Sequence, residues 1–96
     1  MSEELKKAYQ EKAEAQLKEW GSKLEELKNK TAKLSADAKI KVIERIEDLK
    51  KRIKEGSENL NQLKNSSESN WEILKAKIEG TAEGIKKGIE DIMSKL

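Results

Sequence analysis

A stripe of apolar residues at helical spacing over residues 38–63 constrains the fold of this chain more than any other feature. Its members recur every three or four residues, which places their side chains along one face of an α-helix. Gly56 interrupts the stripe, and the whole sequence contains no proline. The flanking segments also have helical patterns, so the sequence predicts an all-α fold. The stripe consists of Ala38, Val42, Ile46, Leu49, Ile53, Leu60 and Leu63.

The composition favours long helices around a thin core. Hydrophobic residues make up 34% of the 96 residues and charged residues 42%, so the chain has material for one small domain at most. The 21 basic residues nearly balance the 19 acidic ones, whereas disordered chains usually carry a high net charge. The periodic Leu and Ile residues therefore indicate helix rather than disorder.

The inventory of side chains also limits the function. The chain has neither His nor Cys, so the usual ligands of zinc and haem are missing, and we expect no catalytic site, metal or cofactor. The net charge of +2 is spread over both signs and provides no concentrated field for nucleic acid. We find no signal-peptide pattern and no apolar run long enough to cross a membrane, so we expect a cytoplasmic protein. Because the chain lacks His and a coiled coil offers no concave pocket, we also expect that it is not an enzyme.

A second apolar stripe runs along the first part of the chain. It continues towards Ile46 in steps of four residues, and neither Gly nor Pro ends a helix before Ser35. We therefore favour one continuous helix over residues 3–64. The alternative is a turn near Ser35, because this serine could cap a new helix. The most regular part of the stripe is Leu17, Trp20, Leu24, Leu27 and Leu34.

Residues 65–70 are all polar and predict a turn that ends one helix and starts another. The order of residues from Ser69 to Glu72 resembles a capping box, which predicts a helix over residues 70–95. Residues 1–96 then form a single helical domain. The last helix is strongly amphipathic, and its apolar face carries Trp71, Leu74, Ile78, Ile85, Ile89 and Ile92.

Two architectures accommodate these helices. In the favoured one, an elongated helical hairpin or coiled coil, the last helix folds back and brings Ile78 near Leu60 and Ile85 near Ile53. The stripe from Leu17 to Leu34 then lacks a partner within the chain, which predicts self-association, most simply as a homodimer. In the alternative, a turn near Ser35 closes an antiparallel three-helix bundle in one molecule.

The C-terminal helix allows more than one interpretation. Its apolar face either packs on the central helix or binds the surface of an anionic membrane. Gly80, Gly84 and Gly88 fall four residues apart, so they form either a second contact face for another helix or simply a weak helix. We expect a non-enzymatic helical interaction protein, with a peripheral membrane binder as the alternative.

Several short segments carry a resemblance to known proteins: Leu17-Lys18-Glu19-Trp20, Ala36-Asp37-Ala38-Lys39-Ile40-Lys41, Leu60 with Leu63, and Trp71-Glu72 followed by Leu74-Lys75 and Ile78-Glu79. Through these segments the whole chain resembles a family of small bacterial coiled-coil proteins that are described as stress-induced and are otherwise uncharacterised. The chain departs from the family pattern at Gly84 and Gly88, where alanine or a larger residue is expected. The resemblance implies a stress-linked cytoplasmic protein and identifies no functional residue.

Overall fold

The computed structural model describes residues 2–96 and confirms the all-α fold. Helix α1 spans Glu3–Lys30, α2 spans Ala36–Lys64 and α3 spans Glu68–Lys95, with a short 3₁₀ turn at Thr31–Lys33. The molecule measures 51 × 18 × 17 Å. Each helix of 28 or 29 residues is about 42 Å long at 1.5 Å per residue, so the helices lie side by side along the long axis.

Helix α2 is antiparallel to both of its neighbours. Against α3, Arg45 lies opposite Asp91, and Leu49 lies opposite Gly88. Against α1, Lys50 lies opposite Glu25 and Lys64 opposite Glu14. Helices α1 and α3 are therefore parallel, and α1 packs mainly on α2. The fold is the antiparallel three-helix bundle, and the register of α3 on α2 agrees with the sequence-based one to within one or two residues.

The expected continuous helix over residues 3–64 is wrong, because the chain turns between Thr31 and Ser35. Thr31 ends α1 and its hydroxyl donates to the carbonyl of Lys28. Ser35 begins α2 and its hydroxyl accepts from the amide of Ala38 at 3.4 Å. Leu34, between them, has an extended backbone.

Burial of the N-terminal stripe explains why the chain turns although its local sequence suits a helix. Leu24 is fully buried, and Leu17 and Leu27 are 7% and 2% exposed. A straight helix would leave these three side chains in water in the monomer, whereas burying a leucine is worth about 1.5–3 kcal/mol. The turn sacrifices a few backbone hydrogen bonds, so the hydrophobic gain decides the outcome.

The predicted start of the last helix is also wrong by about two residues. Ser67 is the N-cap of α3 and Glu68 is its first residue, so Ser69 and Asn70 lie inside the first turn. The backbone carbonyl of Ser67 accepts from the amides of Asn70 and Trp71, and its hydroxyl lies 3.1 Å from that of Ser69. The predicted capping box at Ser69 is therefore not formed, and the turn is confined to residues 65–67.

One continuous core runs along the bundle axis. Half-buried Tyr9, Ala13, Trp20, Leu34, Ile53 and Leu74 pack against it. Gly88 is part of the α2–α3 contact, since a Cβ atom built there would lie 2.5 Å from Leu49 Cδ2. The buried side chains are Leu17, Leu24, Leu27, Val42, Ile46, Leu49, Leu60, Leu63, Trp71, Ile78, Ile85, Ile89 and Ile92.

Candidate interaction site

The predicted self-association stripe is largely covered by the chain itself. Leu17, Leu24 and Leu27 belong to the core, whereas Trp20 and Leu34 are half-buried at its edge. The dimer was predicted because this stripe lacked a partner within the chain. In the closed bundle the three buried leucines have such a partner, so they do not require a second chain. Of the predicted stripe on α1, Trp20 remains partly accessible, and it lines the groove between α1 and α3.

The apolar face predicted for the last helix is also inside the bundle. Trp71 is 2% exposed and Ile85 is fully buried, and only Leu74 lies at the edge of the core. In the closed bundle this face therefore packs against the other helices, as the first of its two interpretations expects. The large apolar side chains of the C-terminal region that do reach solvent are Ile73, Met93 and Leu96, which are 67%, 49% and 42% exposed.

A groove of about 180 Å³ separates α1 from α3. Its apolar lining includes Ala13 and Trp20 from α1 and Ile78 and Ala82 from α3. Alanine at two of these positions leaves space between the helices that larger side chains would fill. Trp20 lines this space and is half-buried.

Aromatic and charged side chains close this groove at the end where α1 and α3 begin. The rings of Tyr9 and Trp71 meet edge to face with centroids 5.3 Å apart, and the ammonium of Lys75 lies 5.4 Å from the Tyr9 ring centre and 5.6 Å from that of Trp71. Burial, and secondarily the charge of Glu79, raises the pKa of Tyr9. The side-chain nitrogen of Trp71 is buried without a hydrogen-bond partner.

An ion pair between Lys6 and Glu68 joins the first turns of α1 and α3. The aliphatic stem of Lys6 lies against the bundle, so the residue is 9% exposed while its ammonium reaches the surface. The hydrogen bond from Lys6 lowers the pKa of Glu68, and the same bond raises the pKa of Lys6. This pair was not predicted, because its partners are far apart in the sequence.

A second groove, of about 620 Å³, lies between α1 and α2. Its middle is lined by Gly21 and Ser22 of α1 and Ser57 of α2, which are too small to fill the space between the helices. Ion pairs bridge the two helices near both ends of the groove. Lys50 Nζ lies 2.6 Å from Glu25 Oε1, and Lys64 Nζ lies 3.7 Å from Glu14 Oε2.

The Glu25–Lys50 contact is the shorter of these bridges and perturbs both groups. The hydrogen bond from Lys50 lowers the pKa of Glu25, and the bond to Glu25 raises the pKa of Lys50. Both side chains remain in contact with solvent, so the pair orients α1 on α2 and adds modest stability.

Within residues 2–96, no cluster of three or more carboxylate side chains is arranged to hold a metal ion. None of the helices in this part of the chain is long and apolar enough to cross a membrane. No family model, curated protein or solved structure matches the chain. The bundle and its grooves are therefore the basis for any functional interpretation.

Proposed function

We propose that this protein is a non-enzymatic helical interaction protein whose helices pack against those of another chain, in the first instance a second copy of itself. The observation that carries the proposal is the incomplete cover of α1. This helix packs on α2, but towards α3 it borders an open groove in which Trp20 is half-buried. A large aromatic side chain at the edge of an apolar groove is a typical anchor for association.

The charge distribution suits a helical partner better than nucleic acid. Acidic and basic side chains are interspersed along the sequence, and the net charge is +2. Such a surface favours specific ion pairs with another mixed-charge helix, whereas phosphate binding needs a concentrated basic patch. A cytoplasmic location and a stress-related role are part of this proposal, and the stress-related role depends on the family resemblance alone.

Sedimentation equilibrium from micromolar to millimolar concentration tests self-association. We expect the average mass to rise from monomer towards dimer across this range. A monomer mass at every concentration would rule out the second copy as the partner. Because the core is closed within one chain, the same monomer must retain its helicity, which circular dichroism checks.

The second candidate is a peripheral membrane protein that binds through α3. The exposed Ile73, Met93 and Leu96 favour it, because most of the large apolar side chains that reach solvent lie in the C-terminal region. Because the main apolar face of α3 is inside the bundle, lipid binding requires α3 to separate from α2.

Anionic vesicles with brominated acyl chains test this second candidate. In a Trp20→Phe variant all indole emission comes from Trp71, which is 2% exposed in the closed bundle. Quenching by the bromine atoms together with co-sedimentation is the expected result for lipid binding through α3. Unquenched emission at low salt would exclude this binding mode, and neutral vesicles are the matched control for the role of lipid charge.

A further inference from the structure

The connection between α1 and α2 consists of the 3₁₀ turn at Thr31–Lys33 followed by two extended residues. Thr31 has helical dihedral angles, with φ −72° and ψ −12°. Leu34 and Ser35 are extended, with ψ of 157° and 160°. Their φ values of −82° and −61° are close to those of a helix, so rotation about two ψ angles would join α1 to α2.

Apart from the cap that Ser35 provides for α2, the local sequence does not oppose this rotation. The segment from Thr31 to Lys39 contains no Gly and no Pro, and the described backbone has no residue with positive φ. Ala32, Ala36 and Ala38 are good helix formers. The hydroxyl of Thr31 already bonds to the carbonyl of Lys28, a contact that also forms inside helices. The apolar steps from Leu34 through Ala38 to Val42 continue in phase through the junction.

The contacts of α1 with α2 can form equally well between two chains. In each contact between α1 and α2, the two partners lie at nearly equal distances along the chain on either side of the α1–α2 junction. The contacts are Glu25 with Lys50, Leu17 with Gly56, and Glu14 with Lys64. Two straightened helices that cross antiparallel at this junction would bring the same residues together across the dimer. The contacts of α1 with α3, including Lys6 with Glu68 and Tyr9 with Trp71, would then also form with the second chain.

We infer that this protein forms a dimer by exchanging α1, with Leu34 and Ser35 as the hinge that straightens into a continuous helix. This inference rests on the proposed self-association and specifies its geometry. Each α1 then occupies its native place on the α2–α3 pair of the other copy. The half-buried Leu34 and Ala38 of the two chains meet at the twofold axis, which adds an apolar contact that the monomer lacks.

Cysteine cross-linking between differently labelled chains distinguishes exchange from other dimers, because the natural sequence has no Cys. Glu25→Cys and Lys50→Cys are prepared in separate chains, unfolded together in urea, refolded at millimolar concentration and treated with a short bis-maleimide. Exchange predicts a covalent heterodimer. The matched control mixes Arg45→Cys with Asp91→Cys, which face each other within one chain in both forms, and this pair gives no covalent dimer.

The outcomes separate the two proposals. A dimer by mass whose Glu25→Cys and Lys50→Cys chains do not cross-link overturns the exchange but leaves self-association standing. A monomer mass throughout overturns both. A chain carrying both cysteines must cross-link internally when dilute, which verifies that the two positions are within reach of the reagent.

Hinge variants provide a second test that leaves the core unchanged. Ala36→Pro holds the preceding Ser35 in its extended conformation and places proline at the first helical position, where its missing amide is tolerated. We expect this variant to stay folded and monomeric at millimolar concentration. Ser35→Ala removes the cap of α2, which stabilises only the turned form. It should therefore raise the association constant of the dimer on the order of tenfold. Equal dimerisation of the proline variant and the natural protein would overturn the hinge.

Discussion

At the scale of single residues, the glycines of α3 test how closely this helix approaches α2. A Cβ atom at position 88 would lie 2.5 Å from Leu49 Cδ2 and 3.2 Å from its Cγ, and Leu49 is 2% exposed and cannot move aside freely. We expect Gly88→Ala to lower the free energy of unfolding by about 1–3 kcal/mol, which urea denaturation measures.

Gly80→Ala is the matched control, because a Cβ atom at position 80 meets no atom within 4 Å. At this exposed position alanine should stabilise the protein by about 0.5–1 kcal/mol through helix propensity. Equal effects of the two substitutions would mean that α3 does not approach α2 at Gly88.

The bridge between Glu25 and Lys50 predicts a pH dependence of stability. The folded-state pKa of Glu25 lies below its ordinary value of 4.5, so the stabilisation is present above that value and disappears as the pH falls through the folded-state pKa. The pKa of Lys50 is raised above 10.5, so its contribution is present below that value and disappears in strong alkali.

Carbon-detected NMR titration of Glu25 measures this effect directly. In a Lys50→Met variant we expect its pKa to return towards 4.5. Lys51→Met is the control, because Lys51 is an exposed neighbour and should leave the titration unchanged. A Glu25 pKa that is the same in all three proteins would show that the ion pair does not form in solution.

Residue burial was largely predictable from the sequence, whereas the role of Gly88 was not. Helical periodicity alone placed Leu24, Ile46 and Ile85 on apolar faces, and all three are fully buried. Periodicity cannot tell whether a glycine beside such a face meets a neighbouring helix, because that depends on how the two helices are rotated against each other. The same limit applies to the Lys6–Glu68 pair, whose partners are 62 residues apart.

At the scale of helices, the caps define where each element begins. Ser35 begins α2 and its hydroxyl accepts from the amide of Ala38, whereas Ser69 lies inside α3. Ser35→Ala should therefore destabilise the monomer by about 0.5–2 kcal/mol. Ser69→Ala, at a position that the sequence suggested as a cap, should change stability by less than about 0.5 kcal/mol. If thermal melts showed a larger loss of stability for Ser69→Ala than for Ser35→Ala, the assigned start of α3 would be contradicted.

The first helix should unfold together with the rest of the bundle. Because Leu24 and Leu27 are buried against the other helices, Leu24→Lys combined with Leu27→Lys places two charges in the core. We expect loss of helicity along the whole chain, seen as a collapse of the circular dichroism signal. Loss confined to the first third of the chain would instead indicate that α1 is a separate unit.

Element boundaries were less predictable than element types. Spacing predicted helix for all three segments, but the favoured prediction joined the first two into one helix. The turn at Thr31–Ser35 contains no strong stop signal, and its neighbours are good helix formers. The turn exists because folding back buries leucines of α1, an effect of the whole bundle that no local window contains. The same balance between local helix preference and tertiary burial underlies the proposed hinge.

At the scale of the whole molecule, the central claim is that three helices close one core within a single chain. Small-angle X-ray scattering at high dilution tests it directly. The closed bundle predicts monomer mass, a longest dimension near 51 Å and a radius of gyration near 15.5 Å. A particle of dimer mass and about 95 Å length at the lowest concentration, as expected for a straight helix over residues 3–64 at 1.5 Å per residue, would contradict it.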